Sequence, residues 1–202
     1  MASGRSAVGG AVGAVATATW DLDLSLALII AGLAGAVVTV VVGLPALRLS
    51  GFFLAVTTFT FALAAQNYLL NRKEQSWIPR DRLLRPTVFN TFDLTSQAAM
   101  YEFTLIVVLL AFLAVAGIRR SRTGRVLVAL RDNERGVAAY AVPVLRAKLT
   151  AFAISGFLAA VAGCLLVHIN QAYTEQPFLV AESLAVFTAA VVGGLGSLPG
   201  AI

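Results

Sequence analysis

"LSLALIIAGLAGAVVTVVVGL", residues 24–44, contains no charged side chain and is followed at once by Pro45. A hydrocarbon slab about 30 Å thick demands about 20 apolar residues of a helix that crosses it. Inside lipid an open chain has no water to bond its amides, so a run of this kind forms a helix. Four further runs appear on working outward from it: Phe52–Leu70, Tyr101–Ile118, Leu149–Ile169, and one from Ser183 to the end of the chain. Of the 202 residues, 59% are hydrophobic and 12% charged, with mean hydropathy +0.87. A soluble domain carries about a quarter charged residues, so this chain has too little polar surface to cover itself. The reading is an all-α polytopic membrane helical bundle, a single domain over residues 1–202, with about five to six transmembrane helices. The opening "MASGRSAVGGAVGAVATATW" has one basic residue, Arg5, and a weak Gly/Ala-rich core. It reads as a short or truncated helix rather than a cleaved leader.

The loops set the expected orientation. Residues 119–148 hold eight Lys and Arg against two acids, and residues 71–99 hold five against three. Basic residues are retained on the cytoplasmic side, which puts loop 119–148 inside and segment 71–99 outside. The net charge of +5 is accounted for by this topology, and nucleic acid is not an expected partner. Cys164 and His168 are the only residues of their types, so internal disulfides, Cys-rich metal sites and two-histidine metal sites are excluded. His168 is expected at an interface or in packing. Small residues recur four apart in Gly32/Ala36, Ala31/Gly35, Ala159/Gly163 and Gly196/Gly200, the spacing that lets helices approach closely in lipid.

Within the basic loop, "GRVLVALRDNERGVAAYAV" (residues 124–142) reads as one amphipathic helix outside the membrane. Leu127, Leu130, Val137 and Ala141 fall on one side of it. Arg131–Glu134 and Asp132–Arg135 are spaced to pair, Ser121 or Thr123 caps the start, and Pro143 ends it. Two roles stand open: a topology anchor, or a helix that docks on a protein. The acids Asp132 and Glu134 favour docking, because paired signs fix register and select partners.

No enzyme chemistry is indicated: the chain lacks GxxxxGK[ST], and "GGLGSLPG" (Gly193–Gly200) has no lysine to reach a phosphate. No cofactor is expected. A path for a polar solute needs polar groups inside the spans. The candidates are Thr57, Thr58 and Thr60, Gln66 and Asn67 near that span's outer end, Ser155, and Thr188; each serves equally well as a hydrogen bond to a neighbouring helix.

Four blocks, "LPALRLSGFFLAVTTFTFA" (Leu44–Ala62), "SRTGRVLVALRDNERGVAA" (Ser121–Ala139), "AKLTAFAISGFLAAVAGCL" (Ala147–Leu165) and "AAVVGGLGSLPGAI" (Ala189–Ile202), resemble in order the membrane permeases of branched-chain amino acid ABC importers. The resemblance implies a permease subunit that forms the pathway while a separate ABC ATPase subunit hydrolyses ATP. It implies a second permease subunit and an extracytoplasmic substrate-binding protein as further partners, in the cell inner membrane. The loop that would couple to the ATPase is Ser121–Val144, with Arg125, Leu127, Leu130, Arg131, Asp132, Asn133 and Glu134 as contact candidates. Asp132 stands where the family more often has Glu, and Ala141 where glycine is usual. Spans the family carries upstream, and its continuation past the last block, are not matched here, so the chain reads as a fragment. The alternatives are an ATP-independent secondary carrier, for which no repeat and no mid-span ionisable residue is seen, and a non-transporting scaffold or inactive fragment.

Overall fold

The computed structural model describes residues 2–20, 22–46, 94, 96–140, 142–173 and 180–194. Every regular element among them is a helix: α1 (Ala2–Thr19), α2 (Leu24–Ala46), α3 (Gln97–Arg120), α4 (Arg122–Asp132), α5 (Glu134–Ala139), α6 (Val144–Asn170) and α7 (Val180–Gly193). Of these, α2, α3 and α6 are long and apolar enough to cross a membrane. At 1.5 Å per residue their 23, 24 and 27 residues span about 35–40 Å, more than the hydrocarbon core. The chain is an all-α membrane helical bundle. The expected second span, Phe52–Leu70, and segment 71–99 apart from its last few residues lie outside the described residues.

The core is a trio, α1, α2 and α6, and small side chains bring it together. On α6 the stripe Gly156, Ala160 and Gly163 is buried. A Cβ added at Gly9 of α1 would strike the Ala160 backbone, and one at Gly35 of α2 would strike the Ala160 side chain and the Gly156 carbonyl. Ala160 is thus where all three helices meet. In lipid no water is released when helices associate, so close van der Waals approach and hydrogen bonds hold such a crossing. Of the pairs read from the sequence, Gly32, Gly35 and Gly163 all serve it, with Gly32 facing the Phe157 ring and Gly163 the Ser6 backbone.

The register fixes the directions. Gly9, Gly13 and Thr17 of α1 face Ala160, Cys164 and His168 of α6, so these two helices run parallel with matched four-residue steps. Gly32, Gly35 and Gly43 of α2 face Phe157, Gly156 and Phe152 of α6, so α2 runs antiparallel to both. The opening segment is therefore a full helix in the interior, with Ala7, Ala11, Ala14 and Ala16 fully buried. Its weak hydropathy reflects alanine and glycine chosen for fit against neighbours rather than for contact with lipid.

At the Asn170 end of α6, Leu24, Leu28 and Ala31 pack with Leu94, Met100, Cys164 and Leu165, and with Phe103 and Val107 of α3. Ser96 caps α3, its hydroxyl accepting from the Ala99 amide at 3.1 Å. Beyond this contact α3 stands apart from the trio, with Leu105, Ile106, Leu109, Leu110 and Leu113 exposed. An apolar face of this kind is stable only against lipid or another membrane helix.

Candidate coupling surface

At the other end of the bundle α3 turns into α4 through a single residue. Ser121 accepts from the Gly124 amide at 3.3 Å to cap α4, and its hydroxyl donates to the Ile118 carbonyl at 2.6 Å. Its own amide also closes the last turn of α3. Gly124 allows the sharp fold: a Cβ there would strike Ile118 and Arg119. One serine therefore ends one helix and begins the next, as the sequence suggested for the start of the amphipathic segment.

That segment is not one helix. Asn133, extended at φ −153 and ψ 94, ends α4 and caps α5, its side-chain oxygen accepting from the Gly136 amide at 2.9 Å. Asparagine side chains compete with the helical backbone in this way, and that competition overrides the continuous periodicity. The second half also stops earlier than expected: Tyr140 ends α5, and Pro143 instead begins α6. The bend changes the charge pairing too. Glu134 accepts a 2.6 Å bond from Lys148 of α6, and Arg131 approaches the adjacent Asp132 at 3.4 Å. Neither three-apart pair forms, because the break turns Glu134 away from Arg131 and towards α6. Both ion pairs are exposed enough to contribute no more than about 1 kcal/mol each; their value here is geometric.

The two leucines of the expected docking stripe are turned inward. Leu130 is 8% exposed and Leu127 half-buried. Val128, Arg131, Asp132, Asn133 and Glu134 remain on the exposed side with Arg125. Between α4 and the α5–α6 junction lies an open cleft of about 350 Å³ lined by Arg122, Arg125, Val126, Ala129, Val137, Tyr140 and Val142. Arg125 donates from Nη1 to the Arg120 carbonyl at 3.1 Å, and Tyr140 is 85% exposed.

The polar residues proposed for a path are not brought together among the described residues. Ser155 is exposed on α6, and Thr188 is exposed on α7, where its hydroxyl is used by the Leu184 and Ala185 carbonyls. Thr57, Thr58, Thr60, Gln66 and Asn67 lie outside the described residues. The buried polar groups are others: Thr17, Thr39 and His168. Thr39 donates to Gly35 on its own helix at 2.7 Å. His168, only 1% exposed, links two helices: Nδ1 lies 2.8 Å from the Cys164 carbonyl and Nε2 lies 3.1 Å from the Thr17 hydroxyl. A carbonyl only accepts, so Nδ1 carries the proton, and a neutral ring then accepts from Thr17 at Nε2. The packing role expected of His168 is met. Its partner was missed, although Gly9, Gly13 and Thr17 recur four apart and mark the face that presents it.

A bundle whose helices cross on glycine and alanine, with a charged, jointed elbow at one end, defines an all-α membrane helical protein with a structured extramembrane surface. The chain belongs to the family described as branched-chain amino acid transport system, permease component, which it matches over residues 2–202. Among curated proteins it is similar to the high-affinity branched-chain amino acid transport system permease protein LivM of Escherichia coli K12, with 30% identity over 96% of this chain and 51% of the relative. The LivM protein of Salmonella typhimurium is 29% identical over the same shares. The LivH permease protein of Escherichia coli K12 is 36% identical over 56% of this chain and 36% of its own length. The chain thus spans about half the length of the LivM relatives it matches. No solved structure shows significant similarity to it.

Proposed function

We propose that the chain acts as a membrane permease subunit of an ABC importer for branched-chain amino acids, driven by a separate ATPase subunit that docks on the α4–α5 elbow. The observation that carries this reading is how the elbow is tied to the bundle. Ser121 joins α4 rigidly to α3, and the Glu134–Lys148 pair braces α5 on the first turns of α6. A displacement of the elbow is then delivered to two membrane helices at once, which is what coupling requires. A mere anchor needs neither the joint at Asn133 nor the brace.

In this reading loop 119–148 is cytoplasmic and segment 71–99 extracytoplasmic, where a substrate-binding protein would meet it. The contact residues are Arg125, Arg131, Asp132, Asn133 and Glu134, with Leu127 and Leu130 holding the elbow's shape from inside. A second permease subunit completes the pathway, and Thr57, Thr58, Thr60, Gln66, Asn67, Ser155 and Thr188 are its proposed polar contributors on this chain. The names of the LivM and LivH relatives support branched-chain amino acids as cargo.

The test is co-purification of the chain with ABC ATPase subunits from its own cells. Reversing charge at Arg131 and Asp132 together is expected to abolish association while membrane insertion persists. Unchanged association sinks the docking role. A cysteine introduced at Asn133 that is labelled from the outside of intact cells sinks the orientation.

A further inference from the structure

We propose that the cleft between α4 and the α5–α6 junction holds the headgroup phosphate of an anionic phospholipid from the adjoining leaflet. Both walls adjoin the ends of membrane helices. Arg122 opens α4 two residues after α3 ends at Arg120, and Val142 lies two residues before α6 begins at Val144. The cleft therefore sits at headgroup depth, not out in the solvent.

Its charge is of one sign. Arg122 and Arg125 line it, and the two ion pairs seen among the described residues occupy Arg131 and Lys148 instead. Arg125 spends one donor on the Arg120 carbonyl, and a guanidinium has five, so most remain for an anion. The floor is apolar, with Val126, Ala129, Val137 and Val142. A free phosphate has no use for that floor, whereas a phospholipid carries ester-linked chains that cover it. Tyr140 stands at the rim, and amphipathic rings favour the membrane interface. The volume of about 350 Å³ falls within the roughly 300–1,000 Å³ of small-molecule sites. Basic pockets between span ends are known to take anionic headgroups. Of the proposed ATPase contacts only Arg125 lines the cleft; the mixed-charge set Arg131, Asp132 and Glu134, which a protein partner would match, lies outside it.

Native mass spectrometry of the full chain, with whatever subunits co-purify, decides the matter by titration with phosphatidylglycerol, phosphatidylcholine or inorganic phosphate. Phosphatidylglycerol is expected to bind about 25-fold better than phosphatidylcholine, each arginine supplying about a factor of five. Arg122→Gln with Arg125→Gln removes that preference, and so does Val126→Trp, which fills the cleft and keeps both charges. Arg146→Gln, an exposed basic residue on α6 outside the lining, leaves it intact. The proposal fails if the preference survives the double variant or the Trp variant, if Arg146→Gln erases it equally, or if inorganic phosphate binds as well as the lipid. It fails also if Val126→Trp leaves lipid selectivity unchanged but releases the ATPase, since the occupant is then a protein. The titration is done in detergent, so its outcome is independent of the loop's orientation and of transport.

Discussion

Replacing Thr17 by valine removes one hydroxyl from the last turn of α1, where it meets the last turn of α6, while conserving shape. The two members of the Thr17–His168 bond are not equivalent. The Thr17 hydroxyl has fallback acceptors on its own helix, the Gly13 carbonyl at 3.0 Å and the Ala14 carbonyl at 3.2 Å. His168 Nε2 has Thr17 as its only partner among the described residues. Losing His168 therefore leaves Thr17 satisfied, but losing the threonine hydroxyl strands a ring nitrogen of a side chain that is 1% exposed. A stranded buried acceptor costs about 1–3 kcal/mol, whereas interhelical bonds between satisfied groups in membranes average about 0.6 kcal/mol. Thr17→Val is accordingly expected to destabilise the bundle by about 1–3 kcal/mol, and Thr17→Ser, which keeps the hydroxyl, by under about 0.5 kcal/mol. Unfolding by sodium dodecyl sulfate in mixed micelles, followed by far-ultraviolet circular dichroism, measures both. In the His168→Leu background the valine substitution should lose most of its effect. Equal cost for valine and serine, or an undiminished valine penalty without the histidine, refutes the bond and the tautomer assigned to it.

Gly35→Leu forces a branched side chain onto Ala160 and the Gly156 carbonyl. A loss exceeding the about 1–3 kcal/mol of ordinary overpacking is expected, read as collapse of monodisperse yield, while Gly4→Ala, with nothing within 4 Å of its Cβ, leaves yield unchanged. Asn133→Ala removes a cap and is expected to cost about 1 kcal/mol, with faster amide exchange confined to α5; exchange unaltered there contradicts the capping role. Cys164, free and fully buried against Gly13, is expected to resist maleimide in the folded bundle and to react completely once unfolded. Rapid labelling of the native protein would show that α1 does not cover it.

The spans were legible because lipid imposes a crude demand, length without charge, and α2, α3 and α6 meet it with ends shifted by a few residues. What hydropathy could not reveal was α1. Its residues satisfy a different demand, small volume at every fourth position, and the clearest sign of its partner is the matching Ala160, Cys164 and His168 spacing far along the chain. The elbow was half legible. Ser121 as a cap and the amphipathic face of α4 follow from local chemistry, but Asn133 sits inside an unbroken periodicity, and only its side-chain bond to Gly136 shows that the helix divides there. The Glu134–Lys148 pair spans a turn whose geometry no spacing rule supplies. For the path residues the difficulty is different: a threonine in a span satisfies itself on its own helix, as Thr188 and Thr39 do, so its presence carries no information about what it lines.

The division of labour along α6 gives the molecule its mechanical logic. Its Asn170-side half is locked to α1 and α2 by the small-residue crossing at Ala160 and the His168–Thr17 bond. Its first turns carry Lys148, held by the elbow. A close-packed crossing resists sliding, because every displacement drives backbone into side chain, so α1, α2 and α6 respond as one body. α3, with its apolar face uncovered over most of its length, has no such constraint and meets the elbow at its last turn, through Ser121, the Gly124 packing on Ile118 and Arg119, and the Arg125–Arg120 bond. In the proposed coupling role, a push on α4 and α5 reaches α3 through the Ser121 joint and the trio as one body through the Lys148 brace. Loosening the crossing by Gly35→Leu should then impair stability and coupling together, whereas severing the brace by Lys148→Glu should impair coupling alone. Lys148→Arg, which keeps a cation against Glu134, should leave coupling intact, and loss of coupling in that variant refutes the logic.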